Sequence, residues 1–360
     1  MTEQPRQASY FEAKEAARRD TATARACQWV VEHQAGWSAV LLAAMHAYDW
    51  TTGGKSAFVH LQHAAEGGYW RGSLDVWYAA HWMVVFTLVR VLTMDHLLRP
   101  FSQWWGVHTT RKQVRFCEQG WLTLYYIMSL AAGLHVMAAG PHWMNTAGFW
   151  EGYPEEHRTM TATMKAYYLV QLGFWIQQIF VLLVEERRKD FGVMLVHHIV
   201  TCTLMGSSLY MNFTRVGNAI LCCMDASDIF LSGTKCMRYM KLDSLSVVSF
   251  VVFLVSWTYT RHYLYIRIML SIANESKILT DIGWQPEIGS FYTAGIINSF
   301  LVLLAILQVL LIYWYLLILR IIYRIIFLRN LEDNRSDSEE EEDDDDHHGS
   351  NRKGGKKKAD

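Results

Sequence analysis

Residues 190–235 read DFGVMLVHHIVTCTLMGSSLYMNFTRVGNAILCCMDASDIFLSGTK. Two adjacent histidines, His197 and His198, lie inside one apolar run, and Asp225 and Asp228 lie inside the next one. An ionisable side chain at bilayer depth is costly unless it faces the interior of the protein or a water-filled cavity. Four such side chains on two consecutive apolar segments therefore predict a polar site built inside a membrane protein.

Apolar segments recur on both sides of this stretch, and hydrophobic residues make up 52% of the 360 positions. About eight segments reach or approach the roughly 20 residues that cross a bilayer as a helix. They are residues 28–48, 76–96, 120–140, 164–184, 193–213, 216–237, 245–270 and 291–319. The pattern predicts an all-α, polytopic membrane protein with about eight transmembrane helices. The first segment is the weakest of them, because it carries Glu32 and His33.

The charges beside these segments orient the chain. Basic clusters occur at Arg18 and Arg19, at Arg111, Lys112 and Arg115, at residues 187–189, at Arg238 and Lys241, and between Arg320 and Arg329. With eight spans they all fall on one side of the membrane, and the positive-inside rule places that side, with both termini, in the cytosol. Several tryptophans lie near predicted helix ends, as in an interfacial aromatic belt; they are Trp104, Trp105, Trp143, Trp150 and Trp284.

The composition changes abruptly at residue 331, where LEDNRSDSEEEEDDDDHHGSNRKGGKKKAD begins. Such a charged segment cannot bury an apolar core, so we predict a disordered tail. Ser336 and Ser338 each precede an acidic residue at the third following position, which is the pattern that acidophilic kinases prefer. Lys357 and Lys358 fit a dilysine retrieval signal at a cytosolic C-terminus. The alternatives are a merely solvated tail and a basic end that arose by chance.

The histidine and aspartate pairs have the composition of a general-base site. Adjacent residues on a helix point about 100° apart, so one histidine faces a cavity while the other contacts its flank. Asp225 and Asp228 are spaced i,i+3 and share a helical face, and a tight hairpin brings both pairs to a similar depth. A carboxylate orients an imidazole and stabilises the imidazolium that forms when it takes a proton. The alternative is a set of structural hydrogen bonds between helices.

Five further polar residues are candidates for substrate binding. Tyr210, Asn212 and Arg215 crowd the turn of the hairpin, where turn chemistry and interfacial anchoring are the favoured alternative. Arg261 lies in the middle of the seventh segment and faces either the site or an anionic headgroup. Lys235 is positioned to extend towards the cytosolic surface instead.

The remaining motifs concern modification and metals. Asn274 begins the sequon Asn-Glu-Ser and is the better of two candidates for lumenal glycosylation. The 15 histidines do not form the closely spaced boxes of membrane di-iron enzymes, so we predict no metal and no bound cofactor. A transporter with an intramembrane His/Asp proton relay is a competing hypothesis, although no inverted repeat is visible. No nucleic-acid partner is predicted.

The stretch 189–235 resembles the signature of the longevity-assurance ceramide synthases, which belong to the TLC-domain family of endoplasmic-reticulum membrane proteins. The matching pieces are KDFGVMLVHHIVT, SSLYMNFTRVGNAIL and CMDASDIFLSGTK, with VVFTLVRVLTMDHLLRPF and RFCEQGWLTLYY before them and RSDSEEEEDD after them. An extra N-terminal span and the absence of a homeobox-like insert are similar to the fungal branch. Animal members usually have histidine where this chain has Met224, a replacement that the fungal branch tolerates.

The resemblance implies transfer of a fatty acyl group from acyl-CoA, as cosubstrate, to the amine of a sphingoid long-chain base. It implies an acyl-histidine intermediate, for which we select His197 as the nucleophile; the sequence does not distinguish the two histidines in this role, and a general-base role for the pair stays open. His198 would act as base or orienter, while Asp225 and Asp228 hold the imidazoles and attract the cationic amine. The alternative is a non-enzymatic lipid transporter or translocon accessory of the same fold.

The resemblance also implies an organisation and partners. Two N-terminal helices (28–97) follow a cytosolic segment (1–27), a TLC domain with a six-helix bundle covers 98–330, and the tail is 331–360. The expected location is the endoplasmic-reticulum membrane. Besides its substrates and membrane lipids, the expected partners are a second synthase in a homo- or heterodimer and a small single-span regulatory subunit.

Overall fold

The computed structural model describes residues 22–185, 190–280 and 283–324. Its helices are α1 (Ala22–Glu32), α2 (Gln34–Thr51), α3 (Asp75–Thr93), α4 (Arg99–Trp104), α5 (Thr110–Ala138), α6 (Glu155–Arg158), α7 (Ala162–Val184), α8 (Phe191–Tyr210), α9 (Thr214–Tyr239), α10 (Asp243–Trp257), α11 (Tyr265–Leu270), α12 (Ser276–Leu279) and α13 (Ala294–Tyr323). The predicted modification and retrieval residues of the tail, and the basic clusters at 18–19 and 187–189, lie outside the described residues.

Six stretches in the described part of the chain are long and apolar enough to cross a membrane. They are Asp75–Trp104, Thr110–Ala138, Ala162–Val184, Phe191–Tyr210, Asp243–Leu279 and Ala294–Tyr323. The prediction of an all-α, polytopic membrane protein is confirmed. The other two expected spans are also helical, but the first is interrupted at His33 and the sixth is α9, whose ionisable and small residues lower its hydropathy. That these two cross the bilayer stays a prediction.

Short π-helical segments keep the long stretches continuous. Met94–Leu98 joins α3 to α4, Thr258–Leu264 joins α10 to α11, and Ser271–Glu275 joins α11 to α12. A π turn inserts one residue into the helical repeat and often occurs at functional positions. The second of these segments carries Arg261, which it directs towards α9.

Helix α9 is the centre of the bundle and packs against α5, α8 and α10. Small residues allow the close approach of α5, because a Cβ atom at Gly133 would lie 2.6 Å from both the Cys222 sulfur and the Tyr167 hydroxyl. Beside this contact an aromatic core is built around Tyr125, whose ring stacks on Phe174 at a centroid distance of 3.3 Å. Both side chains are buried, and so is the adjoining Trp121.

Helices α3 and α7 run in parallel and are tied by an ion pair at each end. Lys165 Nζ lies 2.7 Å from Asp75 Oδ1, and Arg90 Nη2 lies 2.6 Å from Glu185 Oε1. The Lys165 side chain is fully buried and also donates to the carbonyl oxygens of Gln62 and Trp70. The helix that precedes the predicted TLC domain is therefore bound to it through paired buried charges.

One end of the bundle carries the turn between α8 and α9, formed by Met211–Phe213, and is here called the hairpin end. Two short antiparallel strand pairs lie in the loops outside the long helices: β1 (Ala64–Ala65) with β2 (Gly68–Tyr69), and β3 (Gly283–Gln285) with β4 (Ser290–Tyr292). Residues up to Leu307 form one compact unit, and a second unit begins at Gln308 with the last part of α13.

The five tryptophans of the predicted aromatic belt differ in exposure. Trp104, Trp105, Trp143 and Trp284 are between 40% and 77% exposed. Trp150 differs, because only 1% of its surface is exposed. It follows a 3₁₀ turn at Ala147–Phe149, which folds the loop inward instead of along the surface.

Candidate functional site

A cavity of about 80 Å³ lies between α7, α8, α9, the π segments that follow α10 and α11, and the first half of α13. From Phe213, just before α9, its lining continues along the helix to Asp228, which is about 22 Å at the helical rise of 1.5 Å per residue. Most of the lining is apolar. The ionisable lining residues, His197, Asp228 and Arg261, lie at the end away from the hairpin turn, here called the polar end.

The two histidines of α8 have different surroundings. His197 lines the cavity, whereas His198 is 5% exposed and lies outside the lining. The His198 ring centroid is 5.5 Å from that of Trp175 and 5.4 Å from that of His197. The angle of about 100° between neighbouring helical residues explains this separation. His197 is therefore the histidine that a molecule in the cavity would meet.

Asp228 and Arg261 form an ion pair in the cavity wall, with Arg261 Nη2 2.6 Å from Asp228 Oδ1. The same Nη2 donates to the Met224 carbonyl oxygen at 2.8 Å. The guanidinium carbon lies 3.8 Å from the centroid of the Trp257 ring, a cation–π contact that holds the group flat. Three contacts thus fix the Arg261 guanidinium against α9, and its charge is balanced by one carboxylate.

Asp225 belongs to a separate network behind the cavity. Its side chain is fully buried, and its Oδ2 accepts hydrogen bonds from Ser129 Oγ at 2.5 Å and from Gln171 Nε2 at 3.2 Å. Gln171 also accepts a hydrogen bond from the Tyr125 hydroxyl. Asp225 Oδ1 is buried without a hydrogen-bond partner among the described residues.

The two aspartates thus face different neighbours, although we expected them to share a helical face. A spacing of three residues rotates a side chain by about 60°, which is enough to place Asp225 towards α5 and α7 and Asp228 towards the cavity. Sequence analysis did not identify Ser129 and Gln171. Their only signal was uncharged polar character inside apolar segments, which many unrelated positions share.

Three of the proposed substrate-binding residues lie at the hairpin end, outside the cavity lining. Arg215 donates to the carbonyl oxygens of Gly148 at 3.1 Å and Glu151 at 2.9 Å, and approaches the Glu156 carboxylate at 3.3 Å. Tyr210 is 58% exposed, with the Arg71 guanidinium 4.7 Å from its ring centroid. These contacts are the turn and loop chemistry that was the favoured alternative.

Asn212 is the third of these residues and is buried in the turn itself. Its side chain accepts a hydrogen bond from Arg71 Nη1 at 2.7 Å and donates to the Gly289 carbonyl oxygen at 3.0 Å. Its own carbonyl oxygen lies 3.2 Å from His157 Nδ1, and His157 Nε2 lies 3.1 Å from the Glu151 oxygen. Burial lowers the pKa of His157 to about 4, with the nearby Arg215 charge as a second cause. His157 is therefore neutral at physiological pH.

The remaining predicted residues lie elsewhere. Arg261 is in the cavity wall, but Lys235 lies outside the lining, seven residues after Asp228 along α9. Asn274 is exposed on a π-helical turn, while Ser276 of its sequon is buried and hydrogen-bonded to Ile272 and Tyr292. Within residues 22–185, 190–280 and 283–324, no group of three or more His, Cys, Asp or Glu side chains is arranged to hold a metal ion.

Comparison with known proteins identifies the family to which this chain is similar. Residues 115–320, more than half of the chain, match the family described as the TLC domain of TRAM, LAG1 and CLN8 proteins. The chain is 39% identical over 273 residues to sphingosine N-acyltransferase lag1 of Schizosaccharomyces pombe, covering 76% of this chain and 70% of that relative. It is 34% identical over 286 residues to ceramide synthase LAG1 of Saccharomyces cerevisiae, covering 78% and 69%.

A third relative, the sphingosine N-acyltransferase-like protein ALT7 of Alternaria alternata, is 35% identical over 301 residues, covering 76% of this chain and 69% of that relative. All three are fungal, and each alignment spans most of both chains. The resemblance inferred from residues 189–235 is thereby confirmed. The chain belongs to the TLC-domain family, in the branch that contains the fungal sphingosine N-acyltransferases and ceramide synthases.

Proposed function

We propose that this protein is a sphingosine N-acyltransferase that transfers a fatty acyl group from acyl-CoA to the amine of a sphingoid long-chain base. The observation that carries the proposal is the shape of the cavity: an imidazole and a balanced ion pair at one end, and an apolar lining about 22 Å long towards the other. An apolar cavity with a few convergent polar groups is the usual form of a lipid-substrate site.

His197 has the position of the nucleophile in this reaction. Its imidazole nitrogen attacks the thioester carbonyl, the carbon–sulfur bond breaks, and the departing thiolate takes the imidazole N–H proton and leaves as free CoA thiol. The amine then attacks the acyl-imidazole carbonyl, the carbon–nitrogen bond to His197 breaks, and the amine proton passes to the imidazole, which regenerates neutral His197 as the amide forms. The alternative role is a general base that takes the proton of the amine directly. His198 and Asp225 do not line the cavity; His198 packs against His197, with ring centroids 5.4 Å apart.

The ion pair determines what charge the substrates meet. The charges of Asp228 and Arg261 cancel in their ion pair. The polar end therefore offers the guanidinium N–H groups as hydrogen-bond donors but carries no net charge from this pair. Such an end favours a thioester carbonyl as hydrogen-bond acceptor and an amine that has lost its extra proton. We propose that Arg261 contacts the substrate carbonyl and that Asp228 keeps the guanidinium in place.

The position of the cavity suits one lipid and one water-soluble substrate. We place the polar end near the cytosol, the hairpin end on the lumenal side of the endoplasmic reticulum, and both termini in the cytosol, in agreement with the positive-inside rule. A second synthase or a single-span subunit stays a proposed partner. Cross-linking in native membranes followed by mass measurement of the product would identify either of them.

The test is acyl transfer by purified protein in lipid nanodiscs. We expect ceramide and one free CoA thiol per turnover from acyl-CoA and dihydrosphingosine, and, without the base, a fatty-acyl adduct mapped to His197 by mass spectrometry. Binding of the base without thiol release would contradict the proposal and favour a non-enzymatic lipid carrier. Turnover without an adduct would favour the general-base mechanism instead.

A further inference from the structure

Trp150 closes the cavity at the hairpin end. Its side chain lines the cavity together with Phe213 and Phe300, although it belongs to the loop between α5 and α6. The ring centroid of Trp150 is 5.9 Å from that of Phe213, and that of Phe213 is 5.5 Å from that of Phe300. The indole is thus the largest group at the end of the cavity opposite His197.

Hydrogen bonds hold Trp150 at its ring and at the backbone on both sides of it. Trp150 Nε1 donates to Ser271 Oγ at 2.9 Å, which fixes the ring to the π segment after α11. Arg215 binds the carbonyl oxygens of Gly148 and Glu151, the residues on either side of Phe149 and Trp150. His157 contacts the Glu151 oxygen as well. Contacts at its ring and on both sides of its backbone therefore hold the Trp150 side chain at this end of the cavity.

The cavity length is therefore fixed by one side chain and not by a flexible loop. A chain attached at His197 and directed away from the polar end extends along α9 until it reaches the indole. The lining residue Ile220 lies between these points, about 12 Å from Asp228 along the helix axis. The apolar lining between His197 and Trp150 suits a saturated chain and offers no charged partner to stop it earlier.

We propose that Trp150 is the specificity-determining residue that sets the longest acyl chain this protein accepts, with Arg215 and Ser271 as its positioning residues. This inference rests on the proposed acyltransferase function. It assigns the part of the cavity between His197 and the hairpin end to the fatty acyl group and not to the hydrocarbon tail of the sphingoid base.

The experiment offers nanodisc-embedded protein an equimolar mixture of saturated acyl-CoAs of graded length with one sphingoid base. Trp150→Ala removes the indole, and we expect the ceramide profile to shift to longer acyl chains. The relative rate should change by roughly ten-fold for each methylene that gains a place in the cavity. Trp143→Ala is the matched control, because that tryptophan precedes the same 3₁₀ turn, is 47% exposed and lies outside the cavity lining.

A second variant keeps the test valid if Trp150→Ala does not fold. Ile220→Phe adds volume midway along the cavity, and we expect a shift to shorter acyl chains. In a parallel arm the acyl-CoA is held constant and the length of the sphingoid base is varied; neither variant should alter that profile.

The outcomes distinguish a failure of the Trp150 assignment from a failure of the proposed function. An unchanged acyl profile in a folded, active Trp150→Ala variant overturns the assignment of Trp150, and so does a shift confined to the base-length arm. If wild-type protein forms no ceramide from any acyl-CoA, the proposed function itself fails. A shift to longer chains with Trp150→Ala, together with a shift to shorter chains with Ile220→Phe, supports the inference.

Discussion

The polar end of the cavity and the hairpin end of the bundle are built from similar residues but use them differently. At the hairpin end the donors of Arg215, Asn212 and Arg71 bind loop carbonyls and one another. At the polar end His197, Asp228 and Arg261 line a cavity. Crowding of polar residues is common to both regions, and the presence of a cavity distinguishes them.

This difference explains why arginine has two roles in the same bundle. Arg215 and Arg261 are both substantially buried and both contact backbone oxygens. Arg215 fastens the loop that carries Trp150, whereas Arg261 is part of the wall that a substrate touches. Substitutions at the polar end are therefore expected to change catalytic activity, whereas substitutions at the hairpin end are expected to change stability.

The largest effect is expected at His197. The His197→Ala variant removes the proposed nucleophile, so acyl transfer should fall by about 10³-fold or more. Ceramide formation per mole of folded protein is the measurement. Val196→Ala, the outward-facing neighbour at 46% exposure, serves as the control and should retain activity. If His197→Ala retained full activity, the assignment of the polar end as the catalytic site would be contradicted.

The next effect concerns the ion pair in the cavity wall. Asp228→Ala leaves the Arg261 charge buried without its carboxylate, so the free energy of unfolding should fall by about 3–5 kcal/mol. Unfolding in detergent with increasing denaturant measures it. The double variant Asp228→Ala with Arg261→Met should recover most of the stability and none of the activity. If the double variant recovered both stability and activity, the ion pair would have only a structural role.

A smaller and pH-dependent effect is expected at the hairpin end. Because the pKa of His157 is about 4 in the folded protein and 6.5 when exposed, unfolding takes up a proton between these values. Stability should therefore fall by about 3 kcal/mol as the pH decreases from 6.5 to 4, and His157→Gln should flatten this dependence. His108→Gln, at an exposed position, is the control. An unchanged slope in His157→Gln would contradict the assignment.

The smallest effect is expected at Tyr210, which was a candidate for substrate binding. Tyr210→Ala removes an exposed cation–π contact with Arg71 and should cost about 0.5–1 kcal/mol of stability. The KM values for acyl-CoA and for the sphingoid base should not change. A rise in either KM, with stability unaltered, would restore Tyr210 to the substrate site and weaken the distinction between the two ends.

Sequence patterns predicted the features of the fold and the site that depend on local composition. Apolar length identified the helices, and the cost of buried ionisable groups singled out His197, Asp225 and Asp228 in the hairpin. The all-α class and the family are confirmed. The catalytic and binding roles of the site residues stay predictions.

The remainder depends on packing between distant segments. A rotation of about 60° separates Asp225 from Asp228, but only the neighbours of α9 determine which of them meets the cavity. Ser129 and Gln171 come from two different helices, so no spacing in the sequence connects them to Asp225. Trp150 resembled an interfacial residue because it lies near a predicted helix end, and only the packing of its loop shows that it is buried.

The parallel helices α3 and α7 have a consequence for how this family is divided into modules. The part matched by the TLC-domain family begins at residue 115, yet Lys165 and Glu185 inside it find their opposite charges on α3, before that boundary. A fragment trimmed to the matched residues would lack the carboxylate and the two carbonyl oxygens that the Lys165 ammonium group contacts. The autonomous folding unit is accordingly larger than the segment by which its relatives are recognised.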